Sequence, residues 1–461
     1  MAELPNLDID LNTHGWNKTG GKSYNVWGTV PFPQDLLDIM NNSNSNRSIF
    51  KKISSMLGIK FNPKSPIWTA YDPIIYGATK PLTVEDLPRI SATFKSCFAP
   101  YSAVVENMLM KIAYELDVPT SWNYIVKFDK DKYTKITDLY NITSNMKKLE
   151  PVGIVSIDFL QPSHKNVVAV TKSVHKNFAG EKEIDYIDSV GGDILVSFED
   201  AFKLYMPHLD KRTGEQNLLK NWIYVAKQYI KDKLPQMLRD INPKISDKDI
   251  EEKVAKTTKK VCNRIAKSCV FKEFAGDVDS TDYNGGFVIN EDTGRIRFAA
   301  THDYGEACSA LIKNKLIPHD AYCGMSKEAF NALPQNVQDL MLANNRKKHD
   351  ISINEIAQMY ASGSISEQNL QYAFEHFPDA CDELFRNLDL AIQGNKLDAI
   401  VEQYNNLTID EKPLLTTEEV KIFQEYLDSR ASWICELYAV YLQKNNKPIP
   451  QFTRNDLKNL D

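Results

Sequence analysis

The sequence predicts a mixed α/β protein of two lobes, a small β-rich first lobe and a larger helical second one, continued by a helical C-terminal extension. Three observations predict it. At 461 residues the chain exceeds what one hydrophobic core supports. Its composition, 43% hydrophobic and 25% charged, is that of an ordinary folded domain rather than a disordered or repeat protein. Along the chain, β-prone runs give way to three-to-four periodicity. The expected units are residues 1–150, 151–320 and 321–461.

In the first unit, Pro73 to Lys80 is β-like and Asn41 to Asn46 reads as a surface loop. Ser102 to Val118 reads as a helix: Val105, Met108, Leu109, Ile112 and Leu116 form an apolar stripe, with Asn107, Lys111 and Glu115 as the wet face. Glu106 lies off that wet stripe, among Ser102, Met110 and Ala113, so it either faces a cation or snorkels to water at a helix boundary. In the second unit, Pro151 to Leu160 reads as a buried strand, and Gln216–Lys233 and Ser246–Ser268 as helices, the latter opened by Ser246 with Asp249 in a near capping box. Ser364 with Glu367, and Thr416 with Glu419, mark further helix starts after residue 320, where the pattern is helical throughout. Trp433, Tyr438 and Tyr441 read as core.

The chemistry concentrates between Gly276 and Gly305. Gly276-Asp277-Val278-Asp279-Ser280-Thr281-Asp282-Tyr283-Asn284 is followed nineteen residues after its Asn by Asp303-Tyr304-Gly305. Between them, Phe287–Ile289 and Arg295–Ala299 flank a Gly294-containing turn, a hairpin signature that returns its two ends to one place. Asp279, Asn284 and Asp303 are then three oxygen donors around one spot. Two carboxylates ~6 Å apart at an effective dielectric of ~20 repel by roughly 3 kcal/mol, so such a cluster favours a cation or a shifted pKa. Mg²⁺ suits an Asn and an Asp that leave positions for water and phosphates; an EF-hand fails for want of Gly and Glu at its fixed positions. An acidic group beside a hydroxyl and two metal ligands are the parts phosphoryl transfer needs. The competing reading is a solvated acidic turn before an ordinary hairpin.

At these residues the chain resembles the HipA-like serine/threonine kinases, whose protein-kinase-like fold is shared with the phosphatidylinositol 3- and 4-kinases. The resemblance runs from about Lys80 to Leu116 and from Val270 to Ala307. It implies that Asp279 is the catalytic base, that Asn284 and Asp303 hold Mg²⁺, and that Glu106 pairs with the lysine that positions the phosphates of ATP. Lys80 is the assigned lysine and Lys22 the runner-up. The stretch from Gly15 to Ser23 is no Walker A, having one residue too many and a β-prone continuation. The strand Pro151–Leu160 corresponds to the adenine-contacting hinge. The sequence departs from the family where Asp277 stands for the usual Asn and Thr281 for the usual His. The implied activity is transfer of the γ-phosphate of ATP to a protein Ser or Thr hydroxyl, including the chain's own. Two alternatives stand beside it: a phosphoinositide-type lipid kinase, and a pseudokinase serving as a nucleotide-binding scaffold.

A formal charge of −6 gives no overall attraction to nucleic acid. One basic stripe stands out, Lys253, Lys256, Lys259, Lys260, Arg264 and Lys267, opposite Ile250, Val254, Val261 and Ile265; it reads as a solvated face or a docking face for an acidic partner or lipid. Seven scattered Cys without a Cys-x-x-Cys pair indicate neither a zinc module nor a disulfide framework. No signal-peptide pattern opens the chain and no apolar run reaches the ~18 residues of a membrane span, so the expected location is the cytoplasm, with export by a specialised route left open.

Overall fold

The computed structural model describes residues 2–9, 25–34, 37–38, 83, 90–96, 100–129, 151–157, 169–176, 182–190, 193–207, 218–276, 285–299, 307–308 and 364–449. In chain order these form β1 (Ala2–Glu3), β2 (Asn25–Val30), β3 (Ile90–Ser96), α1 (Pro100–Glu115), β4 (Asn123–Lys127), β5 (Val152–Ile157), β6 (Ala169–Lys176), β7 (Lys182–Val190) and β8 (Asp193–Ser197). Then come α2 (Phe198–Tyr205), α3 (Leu218–Ile241), α4 (Asp247–Ala275), β9 (Gly286–Asn290), β10 (Arg295–Phe298), α5 (Ser364–His376), α6 (Pro378–Gln393), α7 (Lys396–Glu402), β11 (Leu407–Ile409), β12 (Lys412–Pro413) and α8 (Thr417–Lys444). The class is mixed α/β, as expected.

The first sheet has the order β2-β3-β5-β4, antiparallel throughout. Val152–Ile157, expected as a buried strand, is an inner strand of it, with five of its six residues buried. The sheet thus extends past residue 150, the expected edge of the first unit. Gly153 is needed there: a Cβ would collide with the Phe94 ring and the Lys95 carbonyl on the neighbouring strand. Helix α1 packs on β4 and β5 through Val105, Met108, Leu109 and Ile112, all fully buried. Just past its end, Asp117, with a positive φ of 55°, turns the chain, while Asn387 of α6 donates to the Leu116 carbonyl at 3.1 Å.

The expected wet face of α1 is enclosed. Asn107 is 3% exposed, donates to Asn123 and accepts from the Tyr404 hydroxyl at 2.7 Å; Lys111 donates to Gln403; Glu115 pairs with Lys396. A polar stripe signals polar partners as well as water, and here the partners come from the C-terminal extension.

The second sheet, β10-β9-β8-β7-β6, is an antiparallel meander whose β9 and β10 form the expected hairpin. Its turn is a single 3₁₀ turn over Glu291–Thr293, closed by Gly294 at φ 60° and by Asn290 accepting from the Thr293 amide at 2.9 Å. An aromatic cluster of Phe198, Trp222, Tyr229 and Phe287 joins this sheet to α2 and α3.

Two helices overrun their expected ends. Helix α3 continues through Pro235 to Ile241, because buried Leu234, Met237 and Leu238 hold the turn that proline weakens. Helix α4 runs to Ala275 instead of ending near Ser268, and is the central helix, touching α3, α5, α6 and α8. Its basic stripe divides accordingly. Lys253, Lys256, Lys259 and Lys260 are exposed, whereas Lys267 is buried against Glu383 at 2.8 Å and Asp117 at 3.5 Å. Burial also holds the Arg264 guanidinium below its usual pKa.

Over its described residues, 364–449, the extension is helical apart from a small hairpin and a 3₁₀ turn. β11 and β12 form a hairpin through Asp410 and Glu411, both at positive φ, and β1 adds in parallel to β11. Helix α8 opens with the expected capping box, both Thr416–Glu419 bonds being made. Tyr438 is fully buried and stacks on Phe385, in keeping with its expected core role. Among the described residues no helix is long and apolar enough to cross a membrane.

Candidate active site

Glu106 sits in the second turn of α1 with 5% of its side chain exposed. Its carboxylate accepts from Lys95 Nζ at 3.2 Å across the space between α1 and β3. The cation is on the sheet because Lys95 pairs in register with Ile154 of β5, and its neighbour Phe94 fills the opposite face against Phe128. A carboxylate this deep needs a compensating charge, so the sequence argument for a cation beside Glu106 holds. Among the described residues Lys95, eleven residues away, is a cation that meets it; Lys80 and Lys22 lie outside the described residues. Lys95 stands on the strand that immediately precedes α1, and its alternation with buried Phe94 in Ile90–Ser96 was the signal that could have found it.

Asp279, Asn284 and Asp303 also lie outside the described residues, as does His302. Their described flanks are fixed at both ends. Upstream, Gly276 caps α4 in the left-handed conformation, φ 64°, with its N–H donating to Glu273 and Lys272 carbonyls. Downstream, Gly286 opens β9, and its carbonyl accepts from the Ala299 amide at 2.9 Å, one residue past the end of β10. Beyond Ala299, the chain is described again at Ala307 and Cys308, where the Cys308 amide donates to the Ala275 carbonyl at 3.3 Å.

Two chain segments therefore span one gap. Residues 277–284 leave the end of α4 and join β9; residues 300–306 leave β10, beside that same junction, and return to the end of α4. Asn284 is bonded to Gly285, which a Cβ would press to 3.0 Å of Phe198 and 3.2 Å of Trp222. Asp303 is four residues from each of Ala299 and Ala307, a reach of at most about 14 Å.

Both anchor points are dry. Phe274, Ala275, Phe287, Phe298, Ala307 and Cys308 are each at most 2% exposed. Cys308 has a positive φ of 55°, and its carbonyl accepts from the Tyr101 hydroxyl at 3.1 Å. Tyr101 lies in the first turn of α1, so the helix that carries Glu106 is bonded to the segment that follows Asp303. Among the described residues no cluster of His, Cys, Asp or Glu could hold a metal ion. What remains chemically available on the described scaffold is a half-buried ammonium oriented by a buried carboxylate.

No protein-family model matches the chain, and no curated protein does. Among solved structures the chain is similar to a proinflammatory kinase CtkA of Helicobacter pylori, at 12% identity, over 77% of this chain and 92% of that one, with a TM-score of 0.36.

Proposed function

We propose that this protein is an ATP- and Mg²⁺-dependent kinase of the HipA-like type, with the bilobal arrangement of that fold, transferring the γ-phosphate to a Ser or Thr hydroxyl of a protein, including its own. The observation that carries this reading is the buried Lys95–Glu106 pair between a sheet strand and the helix after it. A lysine on a strand, oriented by a glutamate on the adjoining helix, is how protein kinases hold the phosphates of ATP. Lys95 takes the role that the sequence assigned to Lys80.

The residues present fit the substrate and the metal. Lys95 supplies a positioned cation for phosphate oxygens, and Glu106 keeps it extended when no nucleotide is present. Asn284 and Asp303 are the hard oxygen donors that Mg²⁺ prefers, and they leave coordination positions for water and phosphate. Bound Mg²⁺ would neutralise charge on the phosphate oxygens. Asp279 would accept the hydroxyl proton as the new O–P bond forms and the bond to ADP breaks. The hairpin β9–β10 supports the convergence of these side chains, since its paired ends hold together one flank of each segment, Gly286 and Ala299.

The lipid-kinase alternative needs a basic surface at the reacting loop. Lys260, the last exposed lysine of the stripe, is sixteen residues before Gly276, about 24 Å along a helix rising ~1.5 Å per residue. That distance favours a protein acceptor. Incubation with ATP and Mg²⁺ followed by intact-mass measurement tests the proposal: added phosphoryl groups on the chain or on a lysate protein support it, and none on either assigns the chain to a scaffold role.

A further inference from the structure

Helix α8 presents Phe423, Tyr426 and Arg430 on one face, at three-to-four spacing, to the end of α4 and the start of α1. Phe423 stacks on Tyr101 at 5.7 Å, and Tyr101 donates to Cys308. Tyr426, fully buried, places its hydroxyl where a Cβ on Gly276 would stand. Arg430, 1% exposed, donates through Nε to the Phe274 carbonyl at 3.0 Å and through Nη2 to the Glu273 carbonyl, while its plane lies over Trp433 at 4.5 Å.

A guanidinium is a costly way to satisfy two carbonyls. The last carbonyls of a helix are ordinarily met by water, by a lysine at the rim, or by the αL cap that Gly276 already supplies. Burying a charged group carries a desolvation penalty that its partners must offset, so a buried charge is a weak source of net stability. What a guanidinium does supply is direction, since its planar fork fixes two acceptors at once. The two it fixes belong to the last turn before the chain leaves α4, and the Ala275 carbonyl beside them is held by Cys308.

We propose that Arg430 is a positioning residue: through α8 it sets the direction in which the chain leaves Gly276, and so couples the C-terminal extension to the reacting groups. The claim about reacting groups rests on the phosphoryl-transfer reading; the claim about the end of α4 does not. Tyr101 extends the coupling to the helix of Glu106 and, through its bond to the Cys308 carbonyl, to the place where the chain returns to the end of α4.

The test compares the full-length chain with Arg430→Lys, Arg430→Gln and Tyr426→Phe, reading amide hydrogen exchange across residues 272–276 and ADP formation with Mg·ATP. Arg430→Lys keeps the charge but loses the fork, and is expected to speed exchange at those amides and to lower kcat by about tenfold to a hundredfold while KM for ATP stays within about twofold. Arg430→Gln, with two amide donors and no charge, should recover part of both. Tyr426→Phe, which leaves Arg430 intact, should move both readouts in the same direction by less, and reports if the Arg430 variants do not fold. Exchange and kcat equal to wild type in the folded Arg430 variants, or in Tyr426→Phe where only that folds, overturn the proposal. A kcat loss matched by an equal change in KM overturns it too, because that marks general loosening. If the wild type forms no ADP, the kinase reading has failed, and the exchange data alone decide whether Arg430 orders the end of α4.

Discussion

Lys95 and Arg430 are both cations inside the fold, and they are satisfied in opposite ways. Lys95 keeps 18% of its side chain exposed and faces a carboxylate brought to it by sequence neighbours, strand β3 and helix α1. Arg430 is 1% exposed and donates to carbonyls at the end of a helix about 156 residues away in the chain. A cation left partly open beside a counter-charge can exchange that partner for a ligand; one sealed from solvent with its donors on backbone carbonyls holds shape. The first region is built for chemistry and the second for geometry.

The contrast breaks most sharply at Lys95. Lys95→Met should lower phosphate incorporation by about a hundredfold to a thousandfold, the usual loss for one electrostatic stabiliser of a transition state. Equal incorporation would show that Lys95 is structural, and would erase the difference between the two regions.

Next in size is Glu106→Ala. Removing one member of a buried pair costs ~3–5 kcal/mol; the partial exposure of Lys95 reduces this to about 2–3 kcal/mol, measurable by denaturant unfolding. At the geometric region, Gly276→Ala should cost about 1–2 kcal/mol for the left-handed backbone alone, with crowding against Tyr426 in addition. A cost near zero would mean that α4 does not end on this cap. Lys396→Ala, at the rim of the α1 seam, should change stability by less than about 1 kcal/mol, because Lys396 is half exposed. Smallest of all, the two thiols of α4 should be inert. Burial pushes Cys262 up to about 11 and Cys269 up to about 12, so the folded protein at pH 8 should resist iodoacetamide at both, as mapped by peptide mass.

The two regions also differ in how much of each could be read from residues. The stripe of α1, the buried strand at Val152–Ile157, the hairpin around Gly294 and the caps at Ser246 and Thr416 follow from local periodicity and turn chemistry, and all are found. Glu106 was legible as a charge in need of a partner, because it falls off the polar stripe of its own helix. That Lys95 is a partner was not, since which strand residue meets the helix depends on register; Lys80, the residue expected there, lies outside the described residues. The overrun of α4 to Ala275 had a local signal in Gly276, a C-terminal cap residue directly after the helical pattern. Arg430 had none: among Lys-, Asp- and Glu-rich helices nothing local marks one arginine as buried, and its acceptors belong to the far end of another helix. The turn at Asp410 and Glu411 was invisible for a related reason, as both adopt positive φ without being Gly or Asn.

The direct measurement is the intact mass of wild type and Lys95→Met after incubation with ATP and Mg²⁺, in buffer and with a cell lysate present. Phosphoryl groups carried by the wild type or by a lysate protein, and absent with Lys95→Met while that variant remains folded, are the predicted result. Equal phosphorylation with the two proteins, or none with either, would contradict the account.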